Sequence, residues 1–400
     1  MNFKLSPLNN FVSAFFILTF LFITCQNTTA QTTKHRIAVF SPIYIDSAFN
    51  GKIYKLFGNY LPKIMLPGLE FYNGAMMAID SLNFDSTCNL LIDFYDYRSR
   101  NNSLNHIIED STNKLAASKV IIASFNNRSD IKILADYGKE KKIPIISATY
   151  PNDGSISDNS YLFLLNPTLR THCKSVYKHL QKNSASSNII YLTRKGGFEE
   201  MVTNYFNEFD SSATTALNLQ AINLTDTFYS KELTSLLDTA KDNIIFCGSV
   251  NETFAYKILN TLAALKKYKI SVIGMPTWDA LKNLDRIEYK DLEVIYTSSY
   301  NYSKTDKLVQ RFMNKYKAKY NAKPSDIAFK GYETMLRFGK TVGLYGANAM
   351  ELFSDDMFKI INQLDIQPVY NKAISTQIDY YENHKIYFIK KVDGVVKSVN

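Results

Sequence analysis

Residues 119–149, KVIIASFNNRSDIKILADYGKEKKIPIISAT, carry the pattern that decides the fold. The apolar runs KVIIAS (119–124) and IPIIS (143–147) have the length and composition of strands buried on both faces. Between them, residues 129–141 have the length of a helix. A strand, a helix and a second strand in this order predict a parallel sheet that helices cover on both sides.

Both strands end in small polar residues that can form hydrogen bonds. In open parallel sheets, ligands bind outside the carboxyl ends of the strands, so these ends form one wall of a candidate cleft. The candidate contacts on this wall are Ser124, Asn126, Ser129, Ser147, Ala148 and Thr149. The alternative is local: such residues also serve as turns and as helix caps that satisfy nearby backbone groups.

The same alternation runs through the chain in two cycles. The first begins with RIAVF (36–40), and the second begins near residue 160 with SYLFLL (160–165). Two helical patterns follow at 304–320 and 325–343. The alternating tail at 376–394 predicts a hairpin that turns at Glu382–Asn383. No low-complexity linker separates the cycles, so we expect two α/β lobes with structured hinges.

The N-terminus predicts export. The apolar run FVSAFFILTFLFITC (11–25) has the length of a signal-peptide core, and TTAQ (28–31) offers a cleavage site after Ala30. We therefore expect residues 1–30 to be a signal peptide and the mature protein to be periplasmic or in the cell envelope. Lipidation at Cys25 is the first alternative, and an uncleaved anchor is the second.

Composition excludes several classes of protein. The 400 residues are 46% hydrophobic and 21% charged, which is typical of a globular protein of two or three domains. The net charge is +9, but the lysines are scattered among acidic residues, so we expect solvated faces and no nucleic-acid partner. The remaining cysteines are expected to be small buried hydrophobes, although one disulfide stays open: they are Cys88, Cys173 and Cys247.

No constellation of catalytic residues is recognisable. The chain has no GxSxG, HExxH, P-loop or GxGxxG motif, and we expect neither catalysis nor a metal or cofactor. His172 and His179 are seven residues apart and are interpreted as a surface pair. Of Asp93 and Asp96, only Asp96 lies near the carboxyl end of its strand. Trp278 is equally well interpreted as a core residue or as part of a pocket.

The order of these features resembles the type I periplasmic binding proteins, in their leucine/isoleucine/valine-binding branch. The resemblance covers residues 35–345 and rests on an ordered set of segments: GLEFYNGAMMAIDSLN (68–83), LIDFYDYRS (91–99), KVIIASFNNRSD (119–130), KKIPIISATYPND (141–153), YLFLLNPTLRTHCKSVYKHL (161–180), NIIYLTRKGGFEEMVTNYFNEF (188–209), NIIFCGSVNETFAYKIL (243–259), ISVIGMPTWD (270–279) and AKPSDIAFKGYETM (322–335). It implies two Rossmann-like lobes, with parallel sheets flanked by helices, joined by three hinge crossovers. The implied lobes are 35–157 plus 298–345 and 158–297 plus 346–400.

The resemblance also implies a function. Such proteins trap a small molecule between hinged lobes and hand it to a membrane partner. By position, the first lobe would contribute Ser129 and the segment Ser147–Thr149, and the second lobe would contribute Phe198 and Glu252, whose carboxylate would pair with a ligand ammonium. We therefore expect an amino-acid-like or peptide-like ligand, with an ABC-transporter permease or another envelope protein as partner.

Two departures leave the ligand open. Ser124 to Asn127 replace the family's glycine–proline turn, and Phe198 lacks the hydroxyl of the family's tyrosine. Residues 44–67 form an insertion that would overhang the mouth of the cleft. The alternative function is an envelope sensor or regulatory scaffold of the same fold, which binds a protein through lobes whose cleft is degenerate.

Overall fold

A computed structural model describes residues 34–58, 60–83, 88–100, 102–112, 114–183, 186–282, 284, 286–303, 305–355, 357–358, 360–392 and 395–399. The predicted signal peptide and Cys25 lie outside these residues. In the part that is described, no helix is both long and apolar enough to cross a membrane.

Fourteen strands form two seven-stranded sheets. They are β1 His35–Ser41, β2 Leu90–Asp96, β3 Ser118–Ala123, β4 Ile145–Ser147, β5 Leu162–Leu164, β6 Asn188–Thr193, β7 Ala221–Asn223, β8 Asn243–Cys247, β9 Ile270–Gly274, β10 Glu293–Ser298, β11 Ile366–Tyr370, β12 Ile378–Asn383, β13 Tyr387–Val392 and β14 Val395–Val399.

The α-helices are α1 Leu66–Asn83, α2 Leu104–Glu109, α3 Arg128–Lys141, α4 Leu169–Asn183, α5 Gly197–Ser212, α6 Ser230–Thr234, α7 Glu252–Ala263, α8 Lys307–Tyr320 and α9 Asp326–Tyr345. Short 3₁₀ helices lie at Ile45–Ser47, Lys63–Met65, Leu115–Ala117, Pro276–Ala280, Ile287–Tyr289 and Gly346–Leu352. Two small ribbons pair Phe49–Asn50 with Ile53–Tyr54 and Arg98–Ser99 with Asn102–Ser103.

The first sheet has the order β11-β12-β5-β4-β3-β1-β2 and is parallel except for the β11–β12 pair. Its central strands are buried on both faces because helices cover both sides, which explains their continuous apolar runs. The β3–β4 register pairs Ala123 with Ser147. It therefore aligns the two strand ends that the sequence marks as a candidate wall.

The second sheet has the order β7-β6-β8-β9-β10-β13-β14, and its last two pairings are antiparallel. One apolar core, to which α4, α5 and α7 contribute, packs against it. The predicted α/β class with two lobes is confirmed.

The chain passes between the lobes three times, as the resemblance implies. It crosses from β5 to α4 at residues 165–168, from β10 to α8 between Ser298 and Lys307, and from β12 to β13 at 384–386. Buried Glu382 accepts hydrogen bonds from the backbone N–H and hydroxyl of Thr168, at 2.7 and 3.0 Å. Asn383 donates to the carbonyl of Leu165 at 3.0 Å. Two crossings are thus joined by side chains.

Two expectations from the sequence are wrong. The tail contains the predicted strands, but β12 and β13 do not form the predicted hairpin with each other, because β12 pairs in the first sheet and β13 pairs in the second. Glu382 and Asn383 are polar because they hold the crossings, and not because the chain turns there. The run at 160–165 closes the first sheet instead of opening the second lobe, since β5 pairs with β4 and β12. The lobe boundaries predicted at 157 and 345 differ from this pairing.

Helices α1 and α9 pack closely against each other on the first lobe. A Cβ atom at Gly74 would lie 1.9 Å from the carbonyl oxygen of Ala328, and one at Gly331 would lie 2.2 Å from that of Phe71. Only glycine permits this approach. The contact holds the N-terminal end of α9, where Ser325 caps the helix, in a defined position.

Candidate functional site

A cleft of about 480 Å³ lies between the lobes, beside the crossings. Its walls come from the segments that follow β4, β8, β9 and β10, from the starts of α4, α5 and α9, and from Tyr380 on β12. This location agrees with the rule that open parallel sheets bind ligands beyond the carboxyl ends of their strands.

Lys330 is a cation on the wall of this cleft. Its ammonium nitrogen lies 4.9 Å from the centre of the Tyr300 ring. Within the described residues it has no hydrogen bond and no ion pair, and burial lowers the pKa of the lysine below its usual value. The residue is half-buried, and the charges of nearby carboxylates oppose this lowering of the pKa. Because none of these carboxylates forms an ion pair with Lys330 within the described residues, its ammonium group is available to an anionic ligand group.

Carboxylates and tyrosines surround this cation. Asp279 accepts hydrogen bonds from the hydroxyls of Tyr296 and Tyr300, at 2.7 and 2.8 Å. Asp326 begins α9 one helical turn before Lys330, and both line the cleft. The opposing charges, about 6 Å apart along the helix, leave room for a ligand that bears both signs.

On the other side of the cleft, Tyr380 donates to Asp153 at 3.2 Å. Desolvation and nearby carboxylates raise the pKa of the Tyr380 hydroxyl, which keeps it a hydrogen-bond donor.

The second-lobe wall is built around Arg170. Its guanidinium binds both carboxylate oxygens of Glu208, at 2.6 and 2.7 Å, and lies over the rings of Tyr205 and Phe209. This pairing lowers the pKa of Glu208 to about 2. Lys372 of the first lobe reaches the same carboxylate at 3.4 Å, so an ion pair bridges the lobes beside the cleft.

His172 is buried at the hinge, where its Nδ1 lies 2.9 Å from the hydroxyl oxygen of Thr297. Burial lowers the pKa of the imidazole to about 3, so it is neutral at physiological pH. The interpretation of His172 and His179 as a surface pair is therefore wrong: His172 lines the cleft, and His179 is half-buried and stacks on Phe388.

A second, smaller cavity of about 50 Å³ lies behind Lys330 and Tyr300, which line both cavities. Glu333 projects into it and accepts three hydrogen bonds from Asn362 and the adjacent backbone. Ala148 also lines this inner cavity. The strand end that the sequence marks therefore adjoins the space behind the cleft.

Most of the predicted wall is engaged in local bonds. Thr149 uses its hydroxyl to donate to the carbonyl of Phe125 and to accept from the Phe125 N–H, and it lies 3.1 Å from the hydroxyl oxygen of Ser124. Asn126 donates to the Tyr44 hydroxyl, and Ser129 donates to Asn127, the residue that caps α3.

Ser147 is fully buried, and its hydroxyl has no partner within the described residues. Glu252 is exposed at the start of α7, while nearby Val250 lines the cleft. Of the eight predicted contacts, only Phe198 lines the cleft itself, with 57% of its surface exposed. The roles of all eight in ligand binding stay predictions.

Other residues singled out in the sequence have structural roles. Asp96 accepts from three successive backbone N–H groups, those of residues 43–45, at 2.8–3.1 Å, and so anchors the start of the insertion at 44–67. No described residue of that insertion lines the cleft. Asp93 pairs with Arg36. Trp278 is a core residue of the second lobe.

Cys173 and Cys247 are free thiols. Cys173 and Cys247 are buried, which raises their pKa values to about 12, and Cys88 is half-buried. The expectation of small buried hydrophobes is confirmed for the first two.

Sequence reasoning missed the charged stripe of α9. Asp326, Lys330, Glu333 and Arg337 follow one another at three- or four-residue intervals and share one helical face. An alternating stripe of this kind usually indicates a solvated surface. Here the stripe faces the two cavities instead, since all four residues line one or the other.

No protein-family model and no curated protein matches this chain. Solved structures do match. A putative branched-chain amino acid ABC transporter protein from Rhodospirillum rubrum has a TM-score of 0.68 at 13% identity, covering 92% of this chain and 100% of its own. A branched-chain amino acid ABC transporter periplasmic ligand-binding protein from Burkholderia xenovorans has a TM-score of 0.60 at 12% identity, covering 92% and 95%.

An ABC transporter substrate-binding protein from Desulfitobacterium hafniense, in complex with leucine, has a TM-score of 0.57 at 14% identity and covers 92% of this chain and 100% of its own. At these identities the likeness concerns the fold. The chain has the two-lobed architecture of the type I periplasmic binding proteins.

Proposed function

We propose that this protein is an exported solute-binding receptor that captures a small polar molecule between its lobes for an ABC transporter. The single observation that supports this most directly is Lys330, a cation on the wall of the 480 Å³ cleft that has no ion pair within the described residues. A ligand anion would provide the pairing that the described residues do not.

An amino-acid-like or peptide-like ligand suits the charges. A ligand carboxylate would pair with Lys330, and an ammonium group would lie toward Asp326 and Asp279. The tyrosines and Phe198 would cover the apolar part of the ligand. The likeness to a leucine-bound substrate-binding protein supports the same class of ligand.

Ligand contacts with both lobes would favour the closed state, because binding stabilises the conformation that makes more contacts. The neutral His172 and the joined crossings would form a rigid floor beneath the moving walls. Delivery to a permease, and export through the signal peptide, belong to this proposal.

The test is thermal unfolding of the chain that follows residue 30, with a panel of amino acids, short peptides and cell-wall fragments. At a concentration of about 100 Kd, a ligand adds about 2.7 kcal/mol of stability. That corresponds to a rise in Tm of about 5–10 °C.

Lys330→Met is expected to abolish this rise, whereas Lys241→Met, at an exposed position on the second lobe, should leave it unchanged. If no member of the panel raises Tm, the receptor function is refuted. A stable protein partner that Lys330→Met does not affect would instead support the scaffold function.

A further inference from the structure

A basic groove lies on the first lobe, apart from the cleft. It occupies about 360 Å³ between α1 and α8, and none of its lining residues lines the cleft. Its apolar lining includes Met77 and Phe312, which are buried, and the half-buried ring of Tyr332.

One wall of the groove is a row of cations. Lys307, Arg311, Lys315 and Lys319 recur every four residues along α8, and all four are exposed. At 1.5 Å per residue, successive charges are about 6 Å apart and the row is about 18 Å long. The last three line the groove directly.

Few carboxylates neutralise the positive charges of this row. Lys319 pairs with Asp80 at 2.5 Å, and within the described residues neither Arg311 nor Lys315 has an ion pair. Like charges four residues apart destabilise a helix by about 0.2–0.5 kcal/mol per pair. Beside them, Leu308 also lines the groove and leaves 46% of its surface exposed. An acidic, partly apolar occupant would relieve both costs.

The shape selects among acidic occupants. The part of the row that lines the groove, from Arg311 to Lys319, is about 12 Å long and exceeds a single small anion, and a flat bilayer surface cannot fill a concave groove. A helix with acidic residues every four positions repeats its charge at the same spacing of about 6 Å, and leucines beside them would contact the apolar lining.

We propose that the basic groove docks an acidic amphipathic helix of a partner protein. The cations would set orientation and association rate, and the apolar lining would add affinity. This surface is independent of ligand capture in the cleft.

The test uses a fluorescein-labelled synthetic helix of about 18 residues, with glutamate at every fourth position flanked by leucine on an alanine–glutamine background. Anisotropy titration with the chain that follows residue 30, at about 50 mM salt, is expected to show binding. Arg311→Glu/Lys315→Glu should weaken it by about tenfold or more, and about 500 mM salt should weaken the wild type similarly.

The matched control is Lys317→Glu/Lys323→Glu, which changes net charge equally at exposed positions that do not line the groove. It should alter binding by less than about twofold. Equal weakening by both double variants would overturn the proposal, because attraction would then depend on net charge alone. Equal binding of the peptide with glutamine in place of glutamate would also overturn it.

The last experiment measures binding of the protein to vesicles of anionic phospholipid. If they bind through Arg311 and Lys315 while the acidic helix does not, the groove is a membrane contact and the proposal fails. Thermal stabilisation by a cleft ligand should be the same in wild type and Arg311→Glu/Lys315→Glu, which keeps this test separate from that of the receptor function.

Discussion

Glu382 joins two of the three crossings, and its removal tests how the lobes are held together. The side chain is buried, and one carboxylate oxygen accepts both the backbone N–H and the hydroxyl of Thr168. The other oxygen lies 3.9 Å from Nε2 of His384 in the third crossing. We compare Glu382→Leu, which removes every acceptor, with Glu382→Gln, which keeps one carbonyl oxygen.

The expected loss follows from these contacts. Hydrogen bonds to a charged group contribute about 1.5–3 kcal/mol each, and a buried N–H left without a partner adds its own penalty. Glu382→Leu should therefore cost about 3–5 kcal/mol, and Glu382→Gln about 1–2 kcal/mol. For a lobe of about 200 residues, Tm falls by about 2–4 °C per kcal/mol, so the leucine variant should melt at least about 6 °C lower.

Thermal melts followed by circular dichroism measure the difference, with Glu351→Gln as the control. Glu351 is exposed, so this change should move Tm by no more than about 1 °C. If Glu382→Leu melts at the wild-type temperature, the carboxylate does not hold the crossings together and the reasoning is wrong. Equal losses in the leucine and glutamine variants would contradict the role given to the remaining carbonyl acceptor.

Three further predictions concern stability and are checked by urea unfolding. Gly74→Ala should cost about 2 kcal/mol or more, because the new Cβ would lie 1.9 Å from the carbonyl oxygen of Ala328. Thr149→Val should cost about 1–3 kcal/mol, because it removes the hydroxyl that joins the two strand ends; unchanged stability would refute this. His172 has a folded-state pKa of about 3, below the unfolded value of about 6.5, so its contribution to stability is complete above pH 6.5 and declines as pH falls toward 3. The decline is about 1.4 kcal/mol per pH unit; it should be absent in His172→Gln and retained in His106→Gln, at an exposed position.

The strands were readable from sequence because each lobe buries its sheet on both faces. Continuous apolar runs such as IPIIS (143–147) are typical of parallel strands that are buried on both faces. The order of such runs indicates the fold class, and helix caps such as Asn127 and Ser325 mark where helices begin. These signals are local, since each depends on residues within about one turn or one strand.

The partners of the late strands were not readable. The tail shows the same alternation of apolar and polar residues whether β12 and β13 form a hairpin or enter different sheets. This alternation indicates which face of a strand is buried, but it does not indicate which strand pairs with it. Glu382 and Asn383 resemble turn residues until Thr168 and Leu165, more than 200 positions earlier, appear beside them.

For the cleft, too, the sequence predicts some features and the tertiary structure alone reveals others. Parallel topology alone predicts that strand ends such as Ser147–Thr149 lie toward a cleft, and within this segment Ala148 lines the inner cavity. Sequence does not reveal that the hydroxyl of Thr149 forms hydrogen bonds with the backbone of Phe125. Nor does it reveal that Lys330 faces a cavity and not water, because a charged stripe has the same spacing on either side of a helix.

By itself, then, the sequence determined the two α/β lobes, their parallel strands and the sheet edge that the cleft adjoins. These depend on hydrophobic period and chain order. Only the tertiary structure decided where the chain crosses between lobes and which side chains remain available in the cleft. The crossings and the available side chains of the cleft depend on contacts between distant segments, because each buried polar group forms hydrogen bonds with the groups that tertiary packing places beside it.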